Sequence, residues 1–319
     1  VFDKFQILKS IFEKPITRYR PYLFFFFSWV YLQSSISSLG QIASRDELAN
    51  AIIETCYRFQ FHQSDSLLQL ARKPSSKLTP TESLLLEANL IWWKTISGKK
   101  DKKSRSRFFE VLDQAQNQIK KEKNNPLETH LKQLSIQGFK TRMAMLDQSY
   151  VSGFFQLNSS LNLFSKLLGK ENENPLLLIF NGLYHYYWSR SWENYFLLRP
   201  YLSLYPKGSI EKGLHLLELA TKSPNLNIQV EAHYFLMKIW MDEKKPKQAL
   251  PHAQILIKKF PQNAVFQYFQ FTLFQQLGEF SKASQTEANL LEGLKSNPQI
   301  TEEQFQHFKK LCKDIRKLK

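Results

Sequence analysis

The chain has 319 residues, 43% of them apolar and 14% aromatic, and its 44 Lys and Arg outnumber its 28 Asp and Glu to leave a formal charge of +16. That apolar content can bury a core in one or two domains, which excludes an intrinsically disordered chain. Two cysteines outside any CxxC pair exclude a disulfide scaffold and a four-cysteine zinc site, and only ten glycines among abundant Leu, Phe, Lys and Gln disfavour a sandwich or barrel.

Residues 14–40 run from a basic stretch (Lys14, Arg18, Arg20) through an apolar block, Tyr22 to Leu32, into small polar residues ending near Ser38 and Gly40. That order is the order of a secretory signal, and the block falls short of the ~20 residues needed to cross a bilayer. Cleavage before Gln41 and export to the periplasm or envelope are expected. An N-terminal core helix or an uncleaved anchor is the alternative, but the Phe24–Phe27 run has no polar face at helical spacing. No cysteine follows the block closely, so a lipid anchor is not expected.

Past Ser44, apolar residues recur at helical intervals: Leu48, Ile52, Cys56 and Phe59; Leu85, Ala88, Trp92 and Ile96; Phe108, Leu112, Ala115 and Ile119; Leu127, Leu131 and Leu134. Each set predicts one amphipathic helix. Breakers fall between them at Pro74 and Pro80, at Gly98, at Asn124-Asn125-Pro126 and over Asn172 to Pro175. Thr79 with Glu82, and Thr301 with Gln304, have the spacing of capping boxes. The organisation predicted is a signal-like segment (1–40), an N-terminal helical region (41–175) and a C-terminal repeat region (176–319) with a basic last helix.

The C-terminal third carries a period. Trp240 and Phe274, Ala249 and Ala283, Leu256 and Leu290, and Ile257 and Leu291 are each 34 residues apart, while Pro224, Pro261 and Pro298 close three units. A small residue in the second helix of a pair lets the first approach, and a large one in the first fills the space beside it. In the unit ending at Pro224, Gly213 and Ala220 keep the second helix. Pro200 and Pro206 interrupt its first, which is therefore expected earlier, around Leu176–Leu198. On these residues the chain resembles the tetratricopeptide repeat family, best over Val230–Asn263 with Leu236, Trp240, Ala249 and Pro261, then to about Pro298 with Gly278 at the inter-helix turn. It departs from the family at His233, Met237, Gln267, Phe271 and Pro246. The resemblance implies an all-α solenoid of antiparallel helix pairs, a right-handed superhelix whose concave surface binds a protein or peptide.

Gly182 to Pro206 crowds nine Tyr, Trp and Phe residues into one stretch. Packing between two halves of the array is one account. A binding surface of Tyr187, Trp188, Arg190, Trp192 and Arg199, with the arginines meeting anions, is the other. His233, Met237, Gln267 and Phe271, on the inward faces of the last two pairs, are the further candidate contacts. Six basic residues crowd Lys99 to Arg107, and the last helix sets Lys309, Lys310, Lys313, Arg316, Lys317 and Lys319 against Phe305, Phe308, Cys312 and Ile315. Export would remove nucleic acid as the anionic partner and leave anionic lipid, wall polymer or an acidic protein. No nucleotide, zinc-protease, nucleophile-elbow or calcium motif occurs, and the seven histidines lack paired ligand spacing. No catalytic, cofactor or metal residue is therefore named. In an extended array Cys56 and Cys312 would lie far apart as buried free thiols. The function expected is a non-catalytic scaffold or adaptor, with peripheral binding to anionic lipid or cell-wall polymer as the alternative.

Overall fold

A computed structural model describes residues 43–98, 101–123, 125–146 and 160–317. The export segment expected over 1–40 lies outside them, as do Lys99 and Lys319. Every regular element among the described residues is helical, and the longer ones are α1 (Ala43–Tyr57), α2 (Phe61–Ala71), α3 (Pro80–Ile96), α4 (Lys102–Ile119), α5 (Pro126–Leu146), α6 (Leu176–Asn194), α7 (Ile210–Ala220), α8 (Leu226–Asp242), α9 (Pro246–Lys259), α10 (Ala264–Leu277), α11 (Phe280–Ser296) and α12 (Glu302–Lys317). The described residues are thus all-α, as the sequence led one to expect.

The local signals act where they were read. Thr79 accepts from the Glu82 amide at 3.2 Å while the Glu82 carboxylate accepts from the Thr79 amide at 2.9 Å, a complete capping box that starts α3. Thr301 and Gln304 make the same reciprocal pair ahead of α12. Pro246 is the first residue of α9, where its missing N–H costs no helical bond. Most of the predicted stripe residues are buried: Ile52, Cys56, Phe108, Leu112, Ala115, Leu131, Leu134 and Cys312 are fully covered, whereas Leu48, Ile96, Leu127, Phe305 and Ile315 are only half-buried.

Two compact units share the chain. One includes Lys123–Ala220; the other joins a stretch ending at Glu122 to a stretch beginning at Thr221. This grouping differs from the division at residue 175 expected from the sequence. In the first unit α6 begins at Leu176, as the prolines at 200 and 206 implied, and packs along α7. Glycines allow the close crossing. A Cβ on Gly213 would lie 2.6 Å from the Tyr186 amide nitrogen and 2.7 Å from the Gly182 carbonyl, and one on Gly182 would lie 2.9 Å from Leu217.

In the second unit α1 packs on α2, α3 on α4, α8 on α9 and α10 on α11, with α12 against α10 and α11. Three of these pairs turn in the same way. Phe59, Lys244 and Gly278 each hold a left-handed φ, of 57°, 56° and 75°. The next amide then reaches back five residues: Gln60 to the Thr55 carbonyl, Lys245 to Trp240 and Glu279 to Phe274. Lys244 and Gly278 are 34 residues apart, so the sequence period is also a period of backbone geometry. Ala249 and Ala283, the small residues of that period, are fully buried.

The stretches expected to be remote from each other pack within this one unit. The Tyr57 hydroxyl lies 2.8 Å from Asn227 Oδ1 and 3.0 Å from Glu231 Oε1, while its ring meets Phe260 and Phe266. Asn263 Nδ2 donates to the Tyr57 carbonyl, Asn297 Nδ2 to the Phe59 carbonyl and Gln304 Nε2 to Ser97 Oγ. Side chains at the starts of α8, α10 and α12 thus bind α1 and the ends of α1 and α3. Cys56 and Cys312 remain free and buried, as expected, although their helices belong to one compact unit.

Candidate functional site

The aromatic stretch divides into an inner and an outer set. Tyr187 and Trp188 are buried, and Trp188 Nε1 donates to the Leu202 carbonyl at 3.3 Å. Trp192 is half-buried and stacks on Trp188 with ring centroids 5.1 Å apart, and the exposed Arg199 lies over the Trp192 ring at 5.7 Å while its Nε donates to the Trp192 carbonyl. Arg190 sits over the Tyr186 ring and pairs with Glu193 at 2.7 Å. Tyr187 and Trp188 are thus packed within the first unit and not open to a partner, whereas Arg190, Trp192 and Arg199 reach its surface. His185 is buried against Tyr184 with neither ring nitrogen hydrogen-bonded, and burial holds its pKa down to about 4.

The candidate contacts of the last two pairs are mostly interior. Met237 and Phe271 are fully buried, so neither side chain is open to a partner in this conformation. Gln267 is half-buried and donates to the Pro261 carbonyl. His233, buried on α8, meets His252 of α9 with their Nδ1 atoms 3.0 Å apart, and burial lowers both to about 4. Both rings are then neutral at pH 7, and one donates its N–H to the lone pair of the other.

A third place was not singled out from the sequence. A cavity of about 570 Å³ opens between the end of α2, the segment leading into α3, and α4, lined by Ala71, Arg72, Lys73, Leu84, Glu87 and Arg107 among others. Glu87 is nearly buried and receives Arg72 Nη2 at 2.6 Å on one oxygen and Arg107 Nε at 2.9 Å on the other. The Glu87 hydrogen bond, with burial opposing it, raises the Arg107 pKa above its usual value. Arg107 also reaches Glu110 at 3.2 Å. One carboxylate therefore orients two guanidiniums with one donor from each, and Lys73 adds a third cation on the rim. Arg107 belongs to the basic run at 99–107, whose described part opens α4: Asp101 caps the helix by accepting from the Ser104 amide at 2.6 Å. The basic face of α12 stands outward as expected, with Phe308 and Cys312 inward, and Arg316 reaches Glu287 at 3.2 Å.

Among the described residues no helix is long and apolar enough to cross a membrane, and no group of three or more His, Cys, Asp and Glu could hold a metal ion. No family model, curated protein or solved structure matches the chain.

Proposed function

We propose that this protein is a non-catalytic scaffold or adaptor of tetratricopeptide type in the bacterial cell envelope, and that it holds an acidic segment of a protein partner in the Arg72–Arg107 cleft. The pairs α8/α9 and α10/α11 are its two clearest repeats, supported by the 34-residue register of Trp240 with Phe274, Lys244 with Gly278 and Ala249 with Ala283. The order of charge and apolarity over residues 14–40 supports export. The observation that carries the partner class is the cleft: Arg72, Arg107 and Lys73 line it with one buried carboxylate, Glu87, while the exposed Glu110 also reaches Arg107, on a chain with a formal charge of +16. Arg72 keeps N–H groups beyond the one bound to Glu87, and Arg107 keeps N–H groups beyond those bound to Glu87 and Glu110, and these suit the oxygens of a partner's carboxylate. The volume is that of a typical ligand cleft, and its apolar wall at Ala71, Pro74 and Leu84 would cover the stems of Glu or Asp side chains.

The test is fluorescence anisotropy of a labelled oligoglutamate peptide against the full chain. Saturable binding that weakens as salt rises, and that drops about tenfold or more in Arg72→Glu with Lys73→Glu, supports the cleft. Equal affinity in the charge-reversed variant and the parent refutes it.

A further inference from the structure

The connection between α6 and α7 exposes what a folded chain ordinarily covers. Leu204, at 75%, and Phe196, at 69%, are the most exposed large apolar side chains among the described residues, and Leu197, between them in the chain, stands at 47%. All three fall in the segment 196–204, which also contains Pro200 and Tyr201.

This segment is held in place. Phe196–Leu198 forms a 3-10 turn and Arg199–Leu202 a single α-helical turn, and Leu198 and Leu202, four residues apart, are buried and anchor the backbone while Phe196, Leu197 and Leu204 face solvent. Trp188 Nε1 donates to the Leu202 carbonyl, the Tyr184 hydroxyl to the Pro206 carbonyl at 2.6 Å, and Arg199 Nε to the Trp192 carbonyl at 2.8 Å. Past the segment, a Cβ on Gly208 would lie 2.6 Å from the His185 carbonyl, so the chain returns to α6 at close range. A fixed apolar ledge that stays uncovered has a surface to meet.

The surrounding residues indicate which surface. Half-buried rings with polar edges, Trp192, Tyr201 and Tyr205, lie beside the aliphatic tips, with the two tyrosine hydroxyls 3.3 Å apart. From 190 to 207 the chain has three cations, Arg190, Arg199 and Lys207, and one acid, Glu193, which is paired with Arg190. Arg199 and Lys207 are exposed. Aliphatic and Phe tips, Trp and Tyr beside them, and Arg and Lys at the margin are the chemistry of a membrane interface.

We propose that the 196–204 ledge docks the protein on an anionic bilayer surface, with Phe196, Leu197 and Leu204 entering the acyl boundary and Arg199 and Lys207 meeting lipid phosphates. The ledge lies outside both basic runs singled out in the sequence, and the proposal goes beyond the scaffold reading without depending on it.

Sedimentation of the full chain with vesicles of phosphatidylcholine, and of phosphatidylcholine mixed with phosphatidylglycerol, tests it. The expected result is binding to the mixed vesicles that falls with salt. Phe196→Ser with Leu204→Ser should weaken it at least about tenfold, with helicity and oligoglutamate binding unchanged. Arg199→Gln with Lys207→Gln should weaken it several-fold and flatten its salt dependence. Absence of parental binding, or undiminished sedimentation of the Phe196/Leu204 variant, overturns the proposal. So does a change from dimer to monomer in that variant without vesicle binding by the parent, which would make the ledge a contact between two copies.

Discussion

Replacing Gly213 by alanine would place a methyl group between two backbones. Its Cβ would stand 2.6 Å from the Tyr186 amide nitrogen, 2.7 Å from the Gly182 carbonyl oxygen and 2.9 Å from Tyr186 Cβ. None of these can rotate away, so α6 and α7 must separate. Overpacking costs about 1–3 kcal/mol, and a clash with main chain belongs at the upper end. Alanine in a helix interior recovers about 1 kcal/mol over glycine, which leaves a net loss of about 2 kcal/mol. Gly293 of α11 supplies the opposite case, because a Cβ there meets nothing within 4 Å. Gly293→Ala should gain about 0.5–1 kcal/mol from propensity alone. Urea unfolding followed by circular dichroism reads both. With an m-value of about 2 kcal/mol per molar, the Gly213→Ala midpoint falls by about 1 M and the Gly293→Ala midpoint rises slightly. A Gly213→Ala protein as stable as the Gly293→Ala protein would refute the close crossing.

Three further outcomes follow from single contacts. His185, His233 and His252 are held near 4 by burial, against about 6.5 in the unfolded chain. Their contribution is therefore complete above about pH 6.5 and is lost as pH falls toward 4, by up to about 1.4 kcal/mol per pH unit for each group. His185→Leu, which breaks no ring hydrogen bond, should remove part of that slope; an unchanged urea-midpoint profile would argue against it. Lys244→Gly relieves a residue at a φ of 56° where the next repeat has Gly278, and should raise stability by about 0.5–1 kcal/mol; a loss would show that the left-handed turn is not the native one. Tyr57→Phe deletes the hydroxyl between Asn227 and Glu231 and should cost about 1–3 kcal/mol by urea titration, whereas a neutral result would detach α1 from α8.

What the sequence disclosed was local. A capping box fits within four residues, an apolar stripe within twelve, and the displaced start of α6 follows from two prolines that could not be inside it. The repeat was legible because close packing demands a small residue at one register, and Ala249 and Ala283 occupy it. Contacts across long separations left no such trace. Tyr57 finds Asn227 only through the assembled fold, so the joining of α1–α4 with α8–α12 into one unit could not be read from periodicity. The same holds for the cleft, where Arg72, Glu87 and Arg107 come from three elements, and Arg107 looked like one more charge in a basic run. Among the candidate contacts, Met237 and Phe271 departed from the repeat pattern because they fill the core, a distinction that residue type alone does not make. Phe196 and Leu204 posed the converse difficulty: an exposed Leu reads as a core Leu until the packing is known.

The role proposed for the chain is to hold an acidic partner in the Arg72–Arg107 cleft. Its most direct test is a photo-crosslinking amino acid placed at Leu84, on the cleft wall, in the full-length protein in its own cells. The expected result is a discrete adduct with a protein whose crosslinked segment is rich in Asp and Glu, lost when Arg72 and Lys73 become glutamate. Adducts that persist in that variant, or a crosslinked segment without acidic residues, would contradict it.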